Sequence, residues 1–295
     1  MGAVEEVVEL EDGGVLATVT EGEGRPVVLC HGGPGGIDML GPISAMINDG
    51  SRVHRYDQRA CGRSSGGPPF TMARWVADLE ALRDRWGHRS WVVGGHSFGA
   101  ALALAYALEH PERTEAVVYV SCFVRTVGQP DWFADYDRAR LQAIPEAERD
   151  RFVELRRRDQ AGGLQAGEQA ELRRMSARTD FGDPWAADRF GPEMEAELAA
   201  VNKIVNRELN IDFARYFAAG SMPARLRDLD LPVLVVHGDA DPRPTAAAEA
   251  LANVLPHSTL IVLPGIGHHP HLEAPEPFRH VIRDFLQLPP HTRAN

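Results

Sequence analysis

The sequence predicts an α/β fold: a mostly parallel central sheet with helices on both faces and an inserted helical cap. Short runs that are apolar on both faces alternate with helical segments, which is typical of parallel strands covered on both sides. This alternation stops between residues 123 and 221, where charged helical patterns replace the strands. The chain has 295 residues and 44% hydrophobic content, enough for one large domain or for a core domain with an insertion.

The elements follow in chain order. Residues 4–10 and 15–20 flank Asp12-Gly13-Gly14 and predict an antiparallel hairpin at a sheet edge. A helix is predicted over residues 75–86 and another over Phe98–Glu109, which has no helix-breaking residue before Pro111. The apolar runs predict buried strands at residues 26–30, 52–56, 91–93, 116–120, 233–236 and 259–263.

The position of the helical stretch predicts how the chain is divided. Because the strand pattern resumes at Leu231, residues 123–221 are interpreted as a cap inserted into one fold. Residues 1–122 and 222–295 then form the core. A separate domain, or a helical layer with no part in the site, remains an alternative. The tail over residues 289–295 is expected to fray.

Charge and composition limit the partners. The net charge of -11 and the absence of a basic stripe disfavour nucleic acid and anionic membranes. The first residues lack the pattern of a signal peptide, and no apolar run is long enough to span a bilayer. Cys30, Cys61 and Cys122 are odd in number and far apart, which does not favour a disulfide framework. We expect a cytoplasmic protein that needs no cofactor and acts on a small molecule or short peptide.

One stretch predicts a nucleophilic serine. Gly95-His96-Ser97-Phe98-Gly99 is a Gly-x-Ser-x-Gly pattern between an apolar strand and an alanine-rich helix. A serine hydroxyl is a weak nucleophile at neutral pH, so it needs a sharp turn that presents its oxygen to a base and to main-chain donors. Glycines on either side leave room for that turn. Ser97 is therefore the predicted nucleophile.

The predicted acid lies in the loop after residues 233–236. This loop contains Asp239 and Asp241, and the carboxyl end of a parallel strand is where site residues are expected. Asp241 is preferred because it lies three residues beyond Gly238 and is followed by Pro242. Asp239 is expected to bond to the loop backbone instead.

The predicted base follows the last strand. His268 comes directly after Gly267, and a neutral imidazole there can take the serine proton and return it to the leaving group. His269 and His271 are interpreted as rim or structural residues. A metal site is disfavoured because no further ligand stands at a suitable spacing. Glu273 is expected to anchor this loop, with substrate binding as the alternative.

An oxyanion site is predicted from main-chain donors. The N–H of Phe98, directly after the serine, supplies one donor, and the loop His31-Gly32-Gly33-Pro34-Gly35-Gly36 supplies another. Gly32 and Gly33 are the expected donors in that loop. A phosphate-binding loop is the alternative interpretation, but the spacing fits neither a Walker motif nor a dinucleotide fingerprint.

Three segments together resemble the proline iminopeptidase group of α/β-hydrolases: residues 31–35, 57–64 and 95–99. The resemblance covers roughly residues 25–122 and 230–287 and implies the α/β-hydrolase fold, with the triad order Ser97, Asp241, His268. It also implies that residues 57–64 brace the oxyanion loop. In that group, acidic cap residues receive the free amino terminus of the substrate, and Glu208 stands where such a residue is sought; a solvated charge on a helix is the alternative interpretation of Glu208.

The expected function is that of a serine hydrolase, most simply an aminopeptidase acting on small peptides or amino-acid amides. An esterase, lactonase or amidase acting on a small metabolite is the first alternative, because many such enzymes share these motifs. A receptor that retains a hydrolase pocket with little turnover is the second. The sequence leaves open the acyl group and the leaving group.

Overall fold

A computed structural model describes residues 2–126 and 128–287; the tail predicted to fray lies outside these residues. Eight strands form one sheet in the order β1-β2-β4-β3-β5-β6-β7-β8. β1 and β2 pair antiparallel, as does β2 with β4, and the other pairs are parallel. The strands are β1 Val4–Glu9, β2 Val15–Glu21, β3 Arg25–Cys30, β4 Ser51–Tyr56, β5 Trp91–His96, β6 Thr114–Val120, β7 Val233–Gly238 and β8 Ser258–Leu263. The predicted fold class is confirmed.

Helices connect the parallel strands and fill the stretch between β6 and β7. Two short 3₁₀ turns lie at Pro111–Arg113 and Glu146–Glu148. The helices are α1 Gly41–Ile47, α2 Met72–Arg85, α3 Phe98–Glu109, α4 Trp132–Ala143, α5 Arg149–Gln160, α6 Ala166–Arg178, α7 Pro184–Ala200, α8 Lys203–Phe217, α9 Met222–Arg227, α10 Thr245–Val254, α11 Pro270–Glu273 and α12 Pro275–Leu286.

Two hydrophobic cores cover the two faces of the sheet. Neighbouring residues of a strand point to opposite faces, so Val27 and Val92 pack with α1 and α12, while Val28 and Val93 pack with α2 and α3. This explains why the strands are apolar on both faces. α3 is buried over Phe98 to Ala107, and its small alanine side chains let it lie directly against the sheet.

The stretch between β6 and β7 contains helices α4 to α9 and packs in two ways. Side chains from α5 and α6, such as Phe152 and Met175, form a small core with Ile144 and Leu172. α8 and α9 instead extend the core on the α3 face of the sheet. We call residues 123–227 the helical segment; the division into core and cap at residues 123–221 stays a prediction. Within the described ranges, no helix is both long enough and apolar enough to cross a membrane.

Candidate active site

Ser97 lies in a strained turn between β5 and α3. Its φ of 55° and ψ of -131° fall outside the regions that ordinary residues favour, and the turn is fixed by a hydrogen bond from Ser97 N–H to Val120 O at 2.9 Å. The turn is possible only beside small residues, because a Cβ on Gly99 would overlap the carbonyl oxygen of Cys30. The Ser97 side chain is therefore held at the carboxyl edge of the sheet and is partly exposed.

The glycine-rich loop after β3 lies against this turn. A Cβ on Gly32 would be 3.1 Å from Ser97 Cβ, and Gly33 has a φ of 126°, which glycine alone adopts easily. The main-chain N–H groups of Gly32, Gly33 and Phe98 donate to no other group in the described part of the chain. Of the predicted oxyanion donors, Gly32 therefore lies against the serine and Phe98 directly follows it in the chain.

Residues 57–64 contact the glycine-rich loop through Gln58. The Gln58 main-chain N–H donates to His31 Nε2 at 2.9 Å, and its side-chain amide donates to His31 O at 2.8 Å. Because Nε2 accepts, the proton of His31 is on Nδ1, which donates to Gly32 O at 2.8 Å. Burial lowers the pKa of His31 and keeps the ring neutral. These contacts brace the glycine-rich loop, as the resemblance implied.

Asp241 and His268 form a buried hydrogen-bonded pair. Asp241 Oδ2 lies 2.8 Å from His268 Nδ1, and the two side chains are 0% and 4% exposed. Burial lowers the pKa of His268, and the charge of Arg243 lowers it further, so the imidazole is neutral at neutral pH. Burial would raise the pKa of Asp241, but His268 and Arg243 outweigh it and hold that pKa below its ordinary value. Nδ1 therefore donates, and Nε2 is left as a proton acceptor.

The second oxygen of Asp241 binds Arg243, a residue that the sequence did not single out. Asp241 Oδ1 accepts from Arg243 N at 2.9 Å and from its Nη1 at 3.1 Å. The same Nη1 donates to Asp180 of the helical segment at 2.8 Å, and the guanidinium lies over the Tyr136 ring, 5.0 Å from its centre. Arg243 could have been found in the sequence from its position two residues after the predicted acid.

Four histidines pack together beside the serine turn. His96 Nε2 donates to the main-chain oxygen of His268 at 2.7 Å, which ties the serine turn to the base loop. The ring centre of His96 lies 4.6 Å from that of His268, 5.2 Å from His269 and 5.3 Å from His271. Burial lowers the pKa of each of the four. Among the described residues, no group of three or more such side chains has the geometry to hold a metal ion.

The other predicted residues take separate positions. Asp239 Oδ1 accepts from Gly265 N–H at 2.6 Å, a loop-backbone contact of the expected kind. Glu273 accepts from the N–H groups of Gly182 and Gly267 at 2.8 and 3.0 Å, so it anchors the base loop to the helical segment. Glu208 lies on α8 with its side chain 43% exposed and 4.0 Å from Arg207. The Ser97 hydroxyl makes no hydrogen bond to His268 among the described residues, a gap that is common before substrate binds.

One cavity borders the serine turn through His96, and a second lies next to Phe213. The first, of about 300 Å³, has a mainly apolar lining that also contains the polar residues His96, Glu193 and Glu197. Burial and the nearby Asp180 raise the pKa of Glu197 to about 7. The second, of about 490 Å³, is lined by the aromatic residues Phe133, Phe213 and Phe217. The ring of Phe213 packs against Phe98, the residue after Ser97, with ring centres 6.0 Å apart.

Asn202, the residue before α8, and Asn206 on α8 hold the glycine-rich loop from the side of the helical segment. Asn206 Nδ2 donates to Pro34 O at 2.7 Å, and Asn202 N donates to Gly35 O at 2.8 Å. The Asn202 side chain also donates to Ala60 O at 2.9 Å. The conformation of the loop therefore depends on the helical segment as well as on β3.

The chain belongs to the α/β-hydrolase fold family, which matches over residues 25–275. It is a hydrolase of this fold. It is 32% identical over 279 residues to the proline iminopeptidase of Xylella fastidiosa, covering 83% of each chain, so the resemblance found in the sequence is confirmed.

Solved structures agree on the fold. A hydrolase from Pseudomonas aeruginosa has a TM-score of 0.74 at 23% identity, covering 96% of this chain and 98% of that one. An esterase from Exiguobacterium antarcticum has a TM-score of 0.75 at 17% identity, covering 97% of this chain and 100% of the other.

Proposed function

We propose that this protein is a serine hydrolase that cleaves an amide or ester bond through an acyl-enzyme. The observation that carries the proposal is the buried Asp241–His268 pair, whose free Nε2 lies on a loop tied by His96 to the Ser97 turn. A neutral, oriented imidazole next to a strained serine is the arrangement that nucleophilic catalysis needs.

The reaction begins when Nε2 of His268 takes the proton of the Ser97 hydroxyl and Oγ attacks the carbonyl carbon. The N–H groups of Phe98 and Gly33 stabilise the oxyanion that forms, with Gly32 as the other donor of the loop. The imidazolium then protonates the leaving amine or alcohol as the carbon–leaving-group bond breaks. Water attacks the acyl-enzyme by the reverse proton route and frees Ser97.

The preferred substrates are small peptides or amino-acid amides with a free amino terminus. This preference is supported by the similarity to proline iminopeptidases and by the acidic first cavity. Glu197 reaches the glycine-rich loop, because a Cβ on Gly36 would lie 3.4 Å from its Oε1. An ammonium group bound beside Glu197 would lower the pKa of this carboxyl group and so favour its charged form. Glu197 is thus a better-placed receptor for the amine than Glu208.

An esterase, lactonase or amidase acting on an uncharged metabolite is the second candidate. The aromatic lining of the second cavity favours it, since Phe213 and Phe217 offer an apolar surface and the Phe213 ring packs against Phe98. A third candidate is a ligand-binding receptor that retains the hydrolase pocket but has little turnover.

A fluorophosphonate probe tests the nucleophile. Labelling should occur in the wild type and be lost in Ser97→Ala, and labelling that survives would exclude Ser97. A protein that labels but hydrolyses neither amides nor esters would support the receptor alternative.

Comparing an aminoacyl amide with its N-acetylated form tests the specificity. Glu197→Gln should raise KM for the free amine by about tenfold to a hundredfold and leave the acetylated substrate unchanged, since one charge-assisted bond is lost. Glu195→Gln on the same helix, outside the cavity lining, is the matched control. An effect of Glu208→Gln instead would assign the amine to Glu208, and indifference to acetylation would exclude the free-amine proposal.

A further inference from the structure

Asp180, between α6 and α7, contacts both of the loops that carry the acid and the base. Its main-chain oxygen accepts from His268 N–H at 2.6 Å. Its carboxylate accepts from Arg243 Nη1 at 2.8 Å, and that nitrogen lies 3.1 Å from Asp241. One residue of the helical segment therefore reaches the base directly and the acid through Arg243.

When His268 is protonated, the charges of this cluster are compensated only if Asp180 is counted. The Arg243 side chain is 14% exposed and that of Asp241 is 0% exposed, so neither charge is well solvated. With Asp180, two carboxylates stand against one guanidinium, and protonation of His268 makes the cluster neutral. Without Asp180, protonation of His268 would leave a net positive charge at a buried place, which is unfavourable.

We propose that Asp180 is a positioning residue that holds Arg243 against Asp241 and balances its charge when His268 becomes protonated. The inference rests on the proposed role of His268 as the base. It also gives the helical segment a part in the reactivity of the site, because Asp180 belongs to that segment and not to the sheet.

The proposal has a consequence for the pH at which His268 titrates. Asp180 and Asp241 carry negative charge and raise the pKa of His268, whereas Arg243 lowers it. The imidazoles around it are buried, and burial lowers the pKa of each, so they are neutral at neutral pH. The groups that face His268 are Asp241 and Arg243 from the loop after β7, Asp180 from the helical segment, His96 from β5, His269 from its own loop, and His271 and Glu273 from α11.

The test is the titration of His268 by NMR of histidine-labelled full-length protein, with the His268 signal assigned from the His268→Gln spectrum. Asp180→Asn keeps the shape and the main-chain oxygen but removes the charge. The midpoint should move to lower pH by about one pH unit, as expected for loss of one nearby opposite charge. Arg243→Gln should move it to higher pH, and the double variant should return it towards the wild type.

Matched variants separate charge from structure. Asp180→Glu should restore the wild-type midpoint, and Asp188→Asn, which removes a carboxylate 75% exposed on α7, should leave it unchanged. If Asp180→Asn does not fold, Asp180→Ser takes its place, because it also removes the charge and keeps the main-chain oxygen that accepts from His268 N–H. An unchanged midpoint in folded Asp180→Asn, or a shift to lower pH in Arg243→Gln, would overturn the proposal.

A second readout links the titration to chemistry. The acid limb of the fluorophosphonate labelling rate should move with the NMR midpoint in each variant. If the labelling rate falls at an unchanged pH while the NMR midpoint of His268 moves, His268 is not the base. That result would contradict the proposed function but not the charge balance. A midpoint that does not move while the wild type labels normally refutes the role of Asp180 alone.

Discussion

Replacing Asp241 by asparagine tests the acid of the site in a way that the structure makes unusually specific. Asp241 Oδ1 faces two donors of Arg243, its main-chain N–H and its Nη1. The amide oxygen of an asparagine must therefore point to Arg243, which turns the NH₂ group towards His268 Nδ1. An NH₂ group can only donate, so Nδ1 must become the acceptor and the imidazole proton moves to Nε2.

In that tautomer Nε2 cannot take the serine proton. We expect turnover to fall about ten-thousandfold, the loss typical of a wrong imidazole tautomer, which corresponds to about 5 kcal/mol in the barrier. KM should change little, because the side chain of Asp241 is buried and does not line either cavity. The fold should persist, since the shape and the bonds to Arg243 are kept.

The assay is kcat on an amino-acid amide, together with ¹⁵N shifts of His268, which report the tautomer. Asp239→Asn is the matched control: it loses only part of an acceptor for Gly265 N–H and should keep wild-type turnover. A less than tenfold loss in folded Asp241→Asn would refute the reasoning. An equal loss in Asp239→Asn would mean that the choice between the two aspartates was wrong.

Three further predictions follow from the site. Gly99→Ala should lower the free energy of unfolding in urea by about 3 kcal/mol or more, because its Cβ would overlap Cys30 O; an unchanged midpoint would contradict this. Gln58→Leu leaves His31 O without its donor, so kcat should fall with little change in KM, whereas a change in KM alone would oppose a bracing role. Since burial lowers the pKa of His268, kcat/KM on an uncharged ester, whose binding does not need the charge of Glu197, should stay high on the alkaline side and fall only below about pH 6.5; a limb at higher pH on that ester would exclude this neutral base.

The sequence predicted the sheet and the central residues because both leave local patterns. The strand at residues 233–236 is a continuous apolar run, and the acid follows it at a fixed spacing. Ser97 is marked by the glycines that its turn requires. Such signals depend on neighbours in the chain, so they can be read without tertiary structure.

Residues of the helical segment leave no such signal. Glu197 is one of three glutamates at alternating positions on α7, and only the packing of α7 over the glycine-rich loop turns it towards the cavity. Glu208, chosen from its place in the sequence, lies half-exposed on α8. The contacts of Asp180 likewise join residues about 60 to 90 positions apart in the chain, beyond the reach of any spacing rule.

The bonds from Asn202 and Asn206 to the glycine-rich loop bear on how such an enzyme changes its substrate range. Exchange of the helical segment for that of a relative would bring new pocket walls and, unless residues 202 and 206 are asparagine there too, would remove the side-chain donors to Ala60 O and Pro34 O. Replacement of the whole segment therefore lowers the reactivity of the site unless both asparagines are kept. Point substitutions on α7 leave α8 and its contacts with the glycine-rich loop in place, so they can change substrate specificity without this loss of reactivity.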